Sequence, residues 1–485
     1  MRSARAETSR AGGAAGVLVV LGLVAACSSR LAPPDLGPIY DAIAQAEEGD
    51  RDPVILIPGI LGSKLSERGT GRLVWGAFGG GSASPSDPEG ARLLALPIDS
   101  PRPVHELADQ VYASGVLDSL HVSLLGLPID VAAYAHILLA LGVGGYRDEE
   151  LGLAGAVDYG TEHYTCFQFP YDWRRDLAAN ARALGEFIEE KAAYVRDERL
   201  RRTGDSGGPV RFDLVAHSMG GLVARYYLRY GGRDLPPDGS PPELDWAGAA
   251  RLDQVVLIGT PNAGSTRALQ QLTEGASFGP FLPHYPAALI GTMPSVYQLL
   301  PRARHGALVE AGEPGRRIDD LFDAALWERM GWGLLDPDQG RVLGRLLPGV
   351  PDAGERRRLA RRFVDRCLRR AEAIHRALDR PPDAAAPRPP GVRLHLVAGD
   401  AVGTPSVLGA RPDGSLVELE YGPGDATVLR SSALLDERVG GTWQPRLRTP
   451  IPWSGVMFFF EEHLGLTQDE AFIDNLLFLL LEEPL

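Results

Sequence analysis

The segment Val210 to Arg229 restricts the fold of this chain more than any other. Val210 to Ala216 reads as a buried strand and Met219 to Arg229 as a helix, with only His217 and Ser218 between them. A chain that passes from strand to helix in two residues must turn sharply, and Ser218 stands at the turn. Such an elbow demands small residues two before and two after the serine, because the backbone crowds there. Ala216 and Gly220 fill those positions in Ala216-His217-Ser218-Met219-Gly220. Alanine in place of the first glycine leaves a tighter fit but still leaves room. A serine hydroxyl becomes a useful nucleophile only when it is projected beside a general base. The elbow supplies the projection, so Ser218 is the candidate nucleophile.

The rest of the chain repeats strand and helix around this point. Val54-Ile55-Leu56-Ile57, closed by Pro58-Gly59, is a continuous apolar run of the kind buried on both faces of a parallel sheet. Further strands are predicted at Tyr164–Phe169, Gln254–Ile258, Val392–Val397 and Val456–Phe460. A helix follows from about Ala178 to Arg196. A C-terminal helix carries Phe472, Ile473, Leu476, Leu477 and Leu480 at helical spacing, opened by Thr467 and Glu470 as a capping box. The class is α/β, with a mostly parallel sheet covered on both faces. Two stretches, about 69–160 and 262–390, interrupt the alternation. Insertions of that size form a cap or lid over a site. The second holds an arginine-rich helix, Glu355 to Leu378, whose arginines read as a solvated outer face.

The chemistry expected of the elbow needs three more parts. The N–H of Met219, at the start of the helix, is the first oxyanion donor. The second belongs to the loop after the first strand, Pro58-Gly59-Ile60-Leu61-Gly62-Ser63, and falls to Ile60 with Leu61 as the alternative. The base should be a histidine after the last strand, and His463 lies there. His217 adjoins the serine and points away from it, His375 is mid-helix, and His395 lies within a strand. The acid stays open on position alone: Asp400 ends a strand, and Asp425 follows in Gly424-Asp425-Ala426-Thr427-Val428. No metal or organic cofactor is required by this chemistry.

A formal net charge of −14 argues against a nucleic-acid partner, which would need a basic stripe. Arg2, Arg5 and Arg10 precede a short apolar core, Val17 to Val24, too short to span a bilayer permanently. The ending Leu23-Val24-Ala25-Ala26-Cys27 resembles a bacterial lipoprotein signal. Residues 1–26 would then be removed, Cys27 would carry the lipid, and residues 27–52 would tether a globular part spanning 53–485. An ordinary secretory signal cleaved near Ala26 is the alternative. Lipidation would hold the protein at a membrane surface, with the outer membrane as the expected one. Cys166 and Cys367 are read as buried thiols, with a disulfide as the minority reading. Oligomeric state is not fixed by any of these features.

Several segments, in order, resemble the lecithin:cholesterol acyltransferase family: Pro53 to Leu65, Tyr171-Asp172-Trp173-Arg174, Ala216 to Gly221, Gly259-Thr260-Pro261, Pro294 to Pro301, Gly424 to Val428, and His463 onward. The resemblance implies an α/β-hydrolase core with a cap and a mobile lid, acting on a fatty acyl group of a phospholipid. It implies that Asp425 is the acid, separated from its strand by a hairpin at roughly 406–421. The expected activity is a lipid O-acyltransferase with a Ser218–His463–Asp425 triad. A phospholipase A or carboxylesterase is the alternative, and a non-catalytic surface lipoprotein a third. Trp75 resembles a family tryptophan near the lid that could contact lipid, although its surroundings here are rich in glycine. The paired lid cysteines of animal members have no counterpart. Asp172 and Arg174 are read as a structural buried pair.

Overall fold

The computed structural model describes residues 36–44, 51–78, 82–117, 119–124, 127–132, 134–160, 163–277, 283–384 and 386–482. The expected signal segment, Cys27 and most of the tether lie outside them. The elements that build the site are, in chain order, β1 (Val54–Ile57), α1 (Ala135–Val143), β2 (Cys166–Gln168), α2 (Leu177–Thr203), β3 (Phe212–His217), α3 (Met219–Tyr230), β4 (Leu252–Ile258), α4 (Ala353–Asp379), β5 (Arg393–Gly399), β6 (Val402–Ala410), β7 (Leu416–Gly424), β8 (Gly455–Phe459) and α5 (Glu470–Leu481).

Among the described residues the central sheet has six strands in the order β8-β5-β4-β3-β1-β2, and every pairing is parallel. The register sets Ile57 beside Ala216 and His217 beside Ile258, so β1, β3 and β4 end at the same edge. Side chains alternate between the two faces of a strand, and both faces are covered. Ile55, Ile57, Leu214, Val255 and Leu257 pack with Leu184 and Ile188 of α2 and Leu222 and Val223 of α3. Val54, Leu56, Val215, Val256 and Ile258 pack with Ile137 and Leu141 of α1 and Phe472 and Leu476 of α5. This is why β1 has no polar alternation. Each such side chain stabilises the fold by about 1.5–3 kcal/mol relative to exposure.

The helix ends differ from expectation in two places: α2 runs on past Arg196 to Thr203, and α5 opens on another residue. α5 is capped by Asp469, whose carboxylate accepts from the Phe472 N–H at 2.8 Å. Thr467 does not open it: this residue lies in a 3-10 turn and its hydroxyl donates to the Leu464 carbonyl. The helix starts two residues later, at the Asp469 cap. α4 behaves as read, with Phe363, Cys367, Ile374 and Leu378 buried. Its exposed arginines pair with neighbouring acids, as in Arg358–Glu355, Arg361–Glu328 and Arg376–Glu372. The hairpin is longer than expected, β6 pairing antiparallel with β7 from Val402 to Gly424. Cys166 and Cys367 are free, buried thiols, so the disulfide reading is set aside. Among the described residues no helix is long and apolar enough to cross a membrane.

Candidate active site

Ser218 sits between β3 and α3 with φ 53° and ψ −125°. A non-glycine residue held there costs of order 1–3 kcal/mol, and the surroundings hold it by the Ser218 N–H donating to the Ile258 carbonyl at 2.7 Å. The hydroxyl Oγ is 2.8 Å from His463 Nε2, and His463 Nδ1 is 2.8 Å from Asp425 Oδ2. Three side chains from widely separated parts of the sequence therefore form one hydrogen-bonded chain at the C-terminal edge of the sheet. Asp425 is 1% exposed. Its Oδ1 accepts from the N–H groups of Thr427 at 3.0 Å and Val428 at 2.6 Å, and the Asp425 carbonyl accepts from the His463 N–H at 3.0 Å. Ala426 reaches φ 70° there, steadied by its N–H donating to Thr404 Oγ1. Asp400 faces elsewhere, with Oδ2 3.8 Å from Arg430 Nε.

Each member of this chain lies against a glycine at the end of a strand. A Cβ on Gly59, after β1, would come within 2.8 Å of Ser218 Cβ, one on Gly259, after β4, within 3.1 Å of the His463 ring, and one on Gly399, ending β5, within 2.7 Å of Asp425 Cβ. At Gly259 the backbone is also left-handed, φ 55°, so a side chain there would be strained as well as crowded. The sequence reading missed Gly259 and Gly399. The signal was a glycine at the C-terminal end of two of the central strands.

The loop Pro58–Ser63 turns at Gly59, with the Gly62 N–H closing onto the Gly59 carbonyl at 3.1 Å and Leu61 at φ 65°. Met219 is the first residue of α3, and a helix leaves its first N–H groups without intrahelical partners. Gly59 has its own N–H taken by the Tyr134 hydroxyl at 2.7 Å. That leaves Ile60, half-buried at the turn, as the loop's first candidate for a second donor. Four aromatic side chains hold this loop. Tyr134 takes Gly59, Tyr171 donates to the Pro58 carbonyl at 2.9 Å, Trp173 donates to the Ser63 carbonyl at 3.2 Å, and Trp75 donates to the Leu61 carbonyl at 2.7 Å. Trp75 is 3% exposed and packs edge-on against Trp173 and Tyr285.

The Tyr171-Asp172-Trp173-Arg174 segment thus serves the loop. Arg174 is fully buried and donates through Nε and Nη2 to both oxygens of Asp172. Burial works against the charge on Asp172, yet the Arg174 and Arg175 guanidinium groups hold its carboxyl below the usual carboxylate range. His217 turns from Ser218 but not from the site: its Nδ1 is 3.0 Å from the Tyr134 hydroxyl and its Nε2 is 3.1 Å from the His463 carbonyl. Burial strips water from its ring and, with His463 adjacent, lowers its pKa to about 3. His375 and His395 are buried at distant positions in α4 and β5.

The family model of lecithin:cholesterol acyltransferase matches residues 154–332, which include β2, β3, α3 and β4. No curated protein matches the chain in sequence. Among solved structures, a chain of the Tle4-Tli4 complex is similar at 16% identity over 88% of this chain and 97% of that one, with a TM-score of 0.54. The mature Bacillus licheniformis lipase BlEst2 is similar at 11% identity over 90% and 95%, with a TM-score of 0.34. Lipase 1 from Pelosinus fermentans is similar at 13% identity over 90% and 100%, with a TM-score of 0.31. The chain has an α/β-hydrolase core of parallel strands with helices on both faces.

Proposed function

We propose that this protein is a serine-nucleophile enzyme that takes a fatty acyl group from a phospholipid or similar ester and transfers it to an alcohol. The observation that carries the reading is the hydrogen-bonded chain Ser218–His463–Asp425, with both contacts at 2.8 Å. The family match over 154–332 supports a lipid ester as substrate. So does apolar surface beside the base, where Phe460 is 83% exposed and Leu464 45% exposed.

In this reading Ser218 Oγ attacks the ester carbonyl carbon while His463 Nε2 takes the hydroxyl proton. Asp425 accepts from His463 Nδ1–H and favours the imidazolium that forms. The N–H groups of Met219 and Ile60 bind the oxyanion, each such donor being worth about 2.7–4 kcal/mol in the transition state. Collapse expels the alcohol of the donor ester, protonated by His463, and leaves the acyl group on Ser218. An acceptor alcohol gives its proton to His463 as it attacks the acyl-enzyme, and His463 returns that proton to Ser218 Oγ as the acyl–Oγ bond breaks and the new ester departs. Hydrolysis, as in a phospholipase A or carboxylesterase, is the second reading, with water as acceptor through the same intermediate.

The test uses a phospholipid with a labelled acyl chain and a fluorophosphonate probe. Wild-type protein should label on the probe and form a new ester when a sterol, a diacylglycerol or a long-chain alcohol is present. Ser218→Ala should lose both. Free fatty acid as the sole product with every acceptor would replace transfer by hydrolysis. Persistent labelling of folded Ser218→Ala would reject the nucleophile itself.

A further inference from the structure

His217 stands next to the nucleophile, is 2% exposed, and takes no part in the steps above. Its hydrogen bonds can be assigned from the partners that only donate or only accept, together with a neutral ring. The Gly59 N–H can only donate, so the Tyr134 oxygen accepts it. The hydroxyl proton of Tyr134 is then free to be donated to His217 Nδ1, which accepts it when the ring is neutral and its one proton sits on Nε2. The His463 carbonyl can only accept, so His217 Nε2 carries the ring proton and donates to it. The result is a directed chain: Gly59 N–H to Tyr134 O–H to His217 Nδ1, and Nε2–H to the His463 carbonyl. This direction holds for a neutral His217, which its burial favours. Burial likewise pushes the Tyr134 hydroxyl up in pKa, keeping the proton that the chain needs.

The two ends of this chain matter. Gly59 is the residue before Ile60, and its backbone fixes where the Ile60 N–H points. The His463 carbonyl belongs to the residue whose ring lies 2.8 Å from Ser218 Oγ. The members come from four separate segments: the loop after β1, the N-cap of α1, the end of β3, and the turn after β8. Ring contacts follow the same path, with Tyr134 and His217 centroids 5.7 Å apart and His217 and His463 centroids 4.8 Å apart.

We propose that Tyr134 and His217 are positioning residues that tie the oxyanion loop to the main chain of His463, setting the oxyanion donor and the general base in register across the nucleophile. The inference rests on the reading of Ser218 as nucleophile. A reaction whose oxyanion donors and base are set to within a fraction of an ångström loses about 100-fold in rate for a displacement of roughly 1 Å. Loss of the relay should therefore act on the transition state and leave substrate binding alone.

Two substitutions share the loss of the Tyr134–His217 link, and Tyr134→Phe also frees the Gly59 N–H. Tyr134→Phe removes the hydroxyl. His217→Gln keeps a donor within reach of the His463 carbonyl but removes the acceptor for Tyr134, and it reads the relay even if Tyr134→Phe does not fold. In each folded variant kcat should fall by about 10-fold to 100-fold with KM within about two-fold. The double variant should be no worse than the poorer single one, because one link cannot be cut twice. Affinity for a boronic acid that mimics the tetrahedral intermediate should fall by the same factor as kcat/KM, while affinity for an uncleavable ether analogue of the substrate should not move. An unchanged kcat, losses that multiply in the double variant, or ether-analogue binding that falls in step would each overturn the relay. Fluorophosphonate labelling separates this from failure of the underlying reading. A wild-type protein unlabelled on Ser218 would sink the nucleophile, whereas labelled variants with unchanged kcat would sink only the relay.

Discussion

The two halves of the candidate site are held in place by different means. On the acid side, Asp425 and His463 are fixed by main chain: two consecutive N–H groups on Asp425 Oδ1, and the His463 N–H on the Asp425 carbonyl. On the oxyanion side, the loop Pro58–Ser63 is fixed by side chains from afar, through Tyr134, Trp75, Tyr171 and Trp173. Main-chain bonds survive most substitutions of the residues that make them. Side-chain clamps do not. Two of the four clamps, Trp75 and Tyr134, come from the stretch 69–160, so that insertion supports the loop from inside. Apart from the His217 tie to the His463 carbonyl, the acid half should then fail only when a reacting group is changed, and the oxyanion half should erode in steps.

The largest expected effect breaks the acid half. In Asp425→Asn, Oδ1 can still accept from Thr427 and Val428, so the turn should keep its shape. The amide NH2 would face His463 Nδ1 and donate to it, forcing the ring proton onto Nε2 and removing the base. Turnover should fall by about four orders of magnitude, as in the analogous serine-protease substitution. Asp400→Asn, beside Arg430, should cost less than about ten-fold. Steady-state kinetics of both folded variants decide it, and the reverse ranking would dissolve the assignment of the acid.

Acid should separate the halves next. His217 and His375 both have pKa values lowered to about 3, chiefly by burial, from an ordinary value near 6.5. Each is neutral when folded and takes a proton only when unfolded, so the unfolded state binds more protons below pH 6.5. Stability is therefore full above about pH 6.5 and is lost as pH falls towards 3. From pH 7.5 to pH 5 the loss should be about 2 kcal/mol for each histidine. Denaturant melts of wild type and His375→Gln at both pH values check this. A wild-type stability that does not fall would show that neither ring is held neutral.

Legibility in the sequence follows the same division. The buried strands, the elbow and the place of His463 are set by local order, and apolar runs closed by glycine or proline reveal them. Asp425 could not be separated from Asp400 by position, because the β6–β7 hairpin carries the chain away from β5 and back. Only the family resemblance favoured it. Tyr134 and Trp75 could not be read at all as supports of the loop. A tyrosine at a helix start and a tryptophan in a short edge strand carry no mark of the carbonyl or N–H they will meet some 14 to 75 residues away. His217 was legible as a residue facing away from Ser218, but its partners lie in segments that no spacing connects.

The smallest expected effect removes one clamp. Trp75 donates its indole N–H to the Leu61 carbonyl, and Leu61 holds a left-handed backbone that a leucine adopts at a cost. Trp75→Phe keeps an aromatic ring against Trp173 and Tyr285 but leaves that carbonyl without its donor. An orphaned buried acceptor costs about 1–3 kcal/mol, and relaxation of the Pro58–Ser63 loop can recover part of it by letting the Leu61 peptide rotate. Rotation of that peptide would swing the neighbouring Ile60 N–H away from the oxyanion. Because the clamps on Gly59, Pro58 and Ser63 remain, kcat should fall only several-fold to about 10-fold, less than for loss of one oxyanion donor outright. Thermal unfolding and turnover of a short-chain ester give the two numbers. A loss of stability with unchanged kcat would mean that Trp75 supports the fold alone. The oxyanion half would then depend on fewer side chains than its contacts imply, and the contrast with the acid half would narrow to Tyr134, Tyr171 and Trp173.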